Sequence, residues 1–254
     1  NRSFRPDRTD VAQCTCGATL RDADHVTVSA HGVGLTKKLL QLLLGRFSPV
    51  SETSPAAWFC WATRLAAAAC KTPGWLADAA KRLGVEPDTS LDSVAWLAAA
   101  EILAEWPHRQ EAFLDAFQQV DKHKTTSTGV GRRFGMLLRS AARLEQMGHS
   151  APADALRRYL LERYDGGHLS GKVCLFTKPR HRASLDQRSW ITQTDAAKIL
   201  GLRHGAIASL IDQGILTGKL HSAGTNGRSV GLVLRQSVET LKRDLQSALD
   251  VKTT

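Results

Sequence analysis

Apolar residues recur along this chain at three- and four-residue intervals far more than they alternate, and that spacing predicts helices. The first run begins around Leu35, with Leu39, Leu40, Leu42, Leu43 and Leu44 packing on several sides, and stops at Gly45. Ser54-Pro55 opens another, since proline suits the first helical position; it carries Trp58, Phe59, Trp61 and Leu65 to about Cys70. Trp75 to Leu83 reads as a short helix stopped by Gly84. Thr89 or Ser90 caps a longer one through Val94, Trp96, Leu97, Ile102 and Leu103, with Asp92, Glu101 and Glu105 as its solvated face. Trp106-Pro107 breaks it and starts a helix carrying Phe113, Leu114 and Phe117. The aromatic residues belong to a core, and Cys60 and Cys70 read as small buried hydrophobes.

Asp121 to Val130 is a polar loop rich in Thr and Ser. Gly131 to Met147 then predicts an amphipathic helix, with Phe134, Leu137, Leu138, Ala141 and Leu144 inward and Arg132, Arg133, Arg139 and Arg143 largely opposite. Such a run of arginines is either a solvated surface or, with little acid nearby, a phosphate-contacting one. Ser150 is expected to cap a helix with Leu156, Tyr159 and Leu160 apolar and Arg157, Arg158 and Arg163 exposed. Asp165-Gly166-Gly167 ends it. Val173 to Phe176 reads as a short strand or a docked extended segment. Lys178, Arg180, His181, Arg182 and Arg188 make a basic linker in which Arg180 and Arg182 would track a phosphate backbone.

Trp190 to Leu216 organises the rest. Thr192 or Thr194 caps a helix bearing Ala196, Ala197, Ile199 and Leu200, and Gly201 stops it. A second helix follows from about Arg203 to Gln213, with Ile207, Leu210 and Ile211 inward and Gly214 closing it. Arg203, His204, Gly205, Ala208, Ser209 and Asp212 are left outward. Two short helices joined by a tight turn describe a helix-turn-helix, or else a plain helical hairpin packed on a larger body. In the first reading Arg203, His204 and Ser209 would face base edges in a major groove. Leu216 to Val230 reads as a hairpin turning at Asn226-Gly227, a wing whose Lys219 and Arg228 would straddle phosphates. Val230 to Leu234 is its return strand and Ser237 to Leu249 a closing amphipathic helix.

The charge balance sharpens this picture. The 254 residues carry a net charge of +10, with 43% apolar residues, ample for a core. A surplus of that size predicts attraction to a polyanion, nucleic acid first and an anionic membrane second. No apolar run approaches the ~20 residues of a membrane span. Five irregularly spaced cysteines fit a reducing cytosol, so a cytoplasmic, nucleoid-associated setting in a bacterium is expected. The start at Asn1 suggests a piece of a longer protein. No Ser-His-Asp set, phosphate-binding loop, HExxH pattern or acidic triad stands at useful spacing, so an enzyme is not expected.

Cys14-Thr15-Cys16-Gly17 is either two thiols on a loop or half of a zinc site. Together with C-T-C-G-A-T-L at Cys14 to Leu20, three further stretches are informative: I-L-A-E-W-P-H-R-Q-E-A-F-L at Ile102 to Leu114, R-F-G-M-L at Arg133 to Leu137, and A-A-K-I-L-G-L…I-A-S-L-I-D-Q-G-I-L at Ala196 to Leu216. In order and spacing the chain resembles the C-terminal part of the TniQ/TnsD family, which chooses targets for transposons. That resemblance implies a mainly α fold: a zinc-ribbon remnant over residues 1–30, a multi-helix body over 31–170, a basic linker over 171–189 and a winged helix-turn-helix over 190–254. It also implies zinc at Cys14 and Cys16, with further ligands expected ahead of Asn1. The implied partners are double-stranded DNA, an AAA+ ATPase regulator and the transposase, with a homodimer left open. Two other readings remain: a protein adaptor docking on a CRISPR effector complex, and a regulator of the MerR or excisionase type.

Overall fold

The computed structural model of the chain describes residues 29–85, 89–119, 130–165, 169, 171–221 and 230–252. Cys14 and Cys16, the Thr-rich loop, the Asn226-Gly227 turn and Arg228 lie outside those residues. Among the described residues the fold is mainly helical. The body comprises α1 (Ala30–Leu43), α2 (Pro55–Ala69), α3 (Pro73–Leu83), α4 (Leu91–Ala104), α5 (His108–Gln119), α6 (Val130–Arg133), α7 (Gly135–Gln146) and α8 (Ala151–Glu162). Hydroxyls of Ser29, Ser54 and Ser90 accept the N–H groups of Gly32, Ala57 and Ser93, satisfying donors that the first helical turn leaves unpaired. Ser150 precedes α8 but makes no such bond.

The core lies where α2 meets α4. Trp58, Trp61, Ala62 and Leu65 interleave with Ala95, Ala98, Ala99 and Ile102, all essentially inaccessible. Small alanines on both helices let the two backbones approach while the tryptophans fill the volume between them. That one-sided stripe decides which residues are left out. Cys60 and Cys70, expected as buried, sit off it and are exposed. On α1 only one face meets α2 and α4, so Leu35 and Leu42 are buried while Leu40 and Leu44 stand in solvent. The helix predicted over 131–147 is broken at Phe134, whose ring turns inward against Phe117, Tyr159 and Tyr164.

Two charged residues expected on solvated faces are interior. Glu101 is only 2% exposed and accepts hydrogen bonds from Arg82 (3.0 and 3.2 Å) and Arg109 (2.6 Å). Both guanidinium groups also lie over the Trp75 ring, at 5.2 and 5.3 Å from its centre. Arg157 is equally enclosed, paired with Glu145 and Asp154 and donating to the Leu175 carbonyl. A charge can be buried only where opposite charge and hydrogen bonds replace its water, and both sites supply them.

Beyond α8 the stretch predicted as a linker is folded onto the body. Cys174–Phe176 forms a 3-10 turn, not a strand, followed by α9 (Pro179–Ala183) and a second 3-10 turn at Ser184–Gln187. Leu175, Phe176 and Leu185 belong to the same core as α2 and α4. Their apolar side chains hold the segment down despite its basic surface. A second, smaller cluster (Ile191, Ala196, Ala197, Ile207, Leu216, Val233, Val238) lies within the remaining elements. These are β1 (Trp190–Thr192), α10 (Gln193–Leu200), α11 (His204–Asp212), β2 (Gly218–His221), β3 (Val230–Leu234) and α12 (Arg235–Lys252). The three strands form one antiparallel sheet in the order β1-β3-β2.

Burial alone would raise the Glu101 pKa, but its bonds and charge contacts with Arg82 and Arg109 outweigh that and hold it below the ordinary glutamate value. Its contribution to stability is therefore full above pH ~4.3 and is lost as pH falls through the lower folded-state value. Glu101→Gln is expected to cost roughly 2–3 kcal/mol at neutral pH, the low side for a broken buried pair because both arginines keep some access to water. Urea unfolding of the two proteins at neutral pH and in strong acid checks this. The gap between them should close in acid.

Candidate nucleic-acid interface

The Thr192 hydroxyl accepts the Asp195 N–H at 3.1 Å, fixing the start of α10. Gly201 ends α10 with φ at 68°, a left-handed conformation that costs glycine little. Residues 201–203 make the turn, and α11 begins at His204 with Arg203 as the residue preceding its first turn. Ile207 is completely buried, and Leu210 and Ile211 are partly so, packed on the same cluster. The opposite face is open: Arg203, His204, Gly205, Ser209 and Asp212 are exposed and Ala208 is half-buried. Arg203 carries only donors and cannot cap α11 through its side chain, and its exposed guanidinium is left to other acceptors. Ser209 accepts from the Gln213 amide at 3.0 Å, which leaves its own O–H to donate.

The hairpin of β2 and β3 follows α11 directly, in the register Gly218↔Val233 to His221↔Val230. Lys219 on β2 is not a free cation but has a partner from the helical body. Its ammonium group pairs with Asp165 at the end of the helical body and lies 4.7 Å from the centre of the Trp190 ring. Lys219 keeps 44% side-chain exposure, whereas Asp165 keeps 7%. Other bonds tie the same joint. Arg188 donates to Asp195 and to the Leu169 carbonyl, Arg235 donates to the Arg188 carbonyl at 3.0 Å, and the Ser189 N–H reaches the Leu161 carbonyl at 2.8 Å. The small unit is thereby held to the body through both its entry strand and its hairpin.

The other basic candidates divide. Arg139 and Arg143 are exposed on α7. Arg133 leaves that face: its Nε and one terminal nitrogen are buried without hydrogen-bond partners. It lies near Tyr164, whose phenol burial pushes up to about 12 while the Arg133 charge opposes the rise. The break at Phe134 separates Arg133, at the end of α6, from the α7 face that carries Arg139 and Arg143. Arg132 lies in α6, and its side chain is outside the described set. Arg180 and Arg182 are exposed on α9, not on an extended linker. Arg182 and Arg188 line an open cleft of about 630 Å³ with Leu169, Pro179 and Asp186.

Sequence reasoning missed the acids that organise these cations. Asp165 and Glu145 lie 54 and 33 residues from the lysines they hold, and no local pattern links them. Among the described residues, no group of three or more His, Cys, Asp or Glu side chains is placed to hold a metal ion. The zinc expectation rests on Cys14 and Cys16 alone, which lie outside those residues. No helix among the described residues is long and apolar enough to cross a membrane. The chain matches no protein-family model, no curated protein and no solved structure.

Asp165→Asn is expected to loosen the joint by about 1–2 kcal/mol, between the worth of an exposed ion pair and a buried one. Amide hydrogen exchange checks this: protection should fall in β1 and β2 and hold in α2 and α4.

Proposed function

We propose that this chain is a DNA-binding adaptor without catalytic chemistry, in which β1 to α12 act as a winged helix-turn-helix. The observation that carries the reading is the exposed outer face of α11, bearing Arg203, His204 and Ser209 around the small residues Gly205 and Ala208. A helix of this width fits the major groove of B-form DNA, where each base pair presents a distinct set of donors and acceptors. Arg203 is suited to paired hydrogen bonds with guanine, and the donor-rich start of α11 favours an adjacent phosphate. His204 and Ser209 supply further donors or acceptors along the same face. The net charge of +10 supplies the sequence-independent attraction that such binding needs.

The resemblance to the TniQ/TnsD family supports a setting in transposition. In it the chain marks an insertion site on double-stranded DNA and recruits the AAA+ ATPase regulator and the transposase. Zinc at Cys14 and Cys16 would belong to the segment ahead of the helical body. The reading head and the body that positions it are coupled through Lys219, Asp165 and Trp190, so a partner docked on one fixes the other.

Arg203→Ala is expected to weaken binding by ~1–3 kcal/mol and relax preference at one base pair. Arg228→Ala is expected to weaken specific and random duplex alike, as a backbone contact does. A gel-shift titration over a panel of sequences checks both. Unchanged affinity in both variants would remove the assignment.

A further inference from the structure

The end of α7 and the start of α9 share an arrangement that the reading of α11 does not use. Glu145 is enclosed, with a side chain 8% exposed, and its two carboxylate oxygens face different ways. Oε2 accepts from the buried Arg157 at 3.0 Å. Oε1 faces Lys178 Nζ at 3.0 Å, with Arg180 and the His181 ring each at 3.9 Å. Arg180 also donates through Nε to His181 Nε2 at 3.0 Å, which requires the neutral tautomer with its proton on Nδ1. Burial and the nearby Arg157 charge hold His181 below the ordinary histidine pKa, consistent with that neutral form.

One anionic oxygen therefore bonds Lys178 and lies within ion-pair reach of Arg180, and the two side chains keep 49% and 74% of their exposure. A single carboxylate cannot occupy the three donors of an ammonium and the five of a guanidinium. The remaining N–H groups are left to other acceptors, while Glu145 and His181 fix the two side chains. Arg182 is exposed two residues on, and Arg139 lies close enough to Cys174, at the head of the same segment, to act on its thiol. Two held, half-satisfied cations side by side suit a ligand with more than one anionic oxygen.

We infer that this surface of the helical body docks the phosphate backbone of duplex DNA beyond the turn covered by α11, with Lys178 and Arg180 as contacts and Glu145 and His181 as positioning residues. The choice of DNA as ligand rests on the reading of α11 given above; the anion-binding geometry does not. Because the small unit is bonded to the body at Lys219, Arg188 and Arg235, the two surfaces keep a fixed relation, and the inference requires that one duplex reach both.

Fluorescence anisotropy of the full chain with two labelled duplexes tests this. One is about 12 base pairs long, little more than the single turn a recognition helix spans, and the other about 36. Lys178→Ala with Arg180→Ala is expected to weaken the long duplex roughly tenfold and lower its salt slope by about 2, leaving the short duplex within about twofold. Glu145 keeps its bond from Arg157 in the double variant, and thermal melting alongside the parent checks that the body stays folded. Glu145→Gln is expected to weaken the long duplex as well. Loss of a negative charge acting only through the overall field would tighten it instead. The inference is overturned if the double variant binds the long duplex like the parent, or if Glu145→Gln binds it more tightly while melting normally. Arg203→Ala serves as the separate control on α11. It should weaken both duplexes, and its failure to do so would sink the reading of α11 while leaving a length-dependent loss at Lys178 and Arg180 intact.

Discussion

Gly218 has no Cβ, and the side chain of Ile211 occupies the space one would take. A Cβ built there would stand 2.6 Å from two of its carbons. This close approach of the β2 backbone to α11 is the constraint on which the C-terminal unit depends. A nine-residue helix is too short to persist alone in water, so packing must hold α11 in place. Ile207 is its one fully buried side chain, worth about 1.5–3 kcal/mol, and Leu210 and Ile211 complete the contact along one edge. With so narrow a stripe committed to the interior, the rest of the helix circumference has nowhere to go but outward. The polar face bearing Arg203, His204 and Ser209 is the direct consequence.

The body solves a different problem, that of holding a large excess of basic residues around an alanine- and tryptophan-rich core. It does so by enclosing acids rather than bases alone. Glu101, Glu145 and Asp165 are nearly inaccessible, and each has arginine or lysine brought to it from another element. An enclosed carboxylate is costly without partners, so each of the three dictates where its cations lie. Glu101 fastens α3 and α5 to α4, Glu145 fastens α9 to α7, and Asp165 fastens the hairpin to the body. Cations held this way are ordered before any ligand arrives, which lowers the entropic cost of binding an anion.

Much of this was legible in the sequence where one helix or one turn decides the outcome. Ile207, Leu210 and Ile211 recur at helical spacing, and Ser54, Ser90, Thr192 and Gly201 mark helix ends by local chemistry alone. Four features were not legible, for physical reasons. Glu101 sits in a helix that is apolar almost all round, so its pattern cannot say which side meets water; burial was decided by Arg82 and Arg109 from other helices. Arg133 belongs to an unbroken amphipathic pattern, yet Phe134 fills a gap among distant rings and bends the chain there. Lys219 reads as a free wing residue until Asp165, far back in the chain, is folded against it. The basic stretch from Lys178 to Arg188 looks like a linker because its few apolar anchors, Leu175, Phe176 and Leu185, are scattered at no regular period.

The most direct test of the central claim, that this chain is a duplex binder whose contacts are set by its folded cations, is the affinity of the unmodified protein for random-sequence duplex across a salt series. The account predicts tight binding at low ionic strength and a straight log–log decline with a slope of about −4 to −6, the release expected for roughly five to seven phosphate contacts. Absence of binding at low salt, or an affinity indifferent to salt, would contradict it.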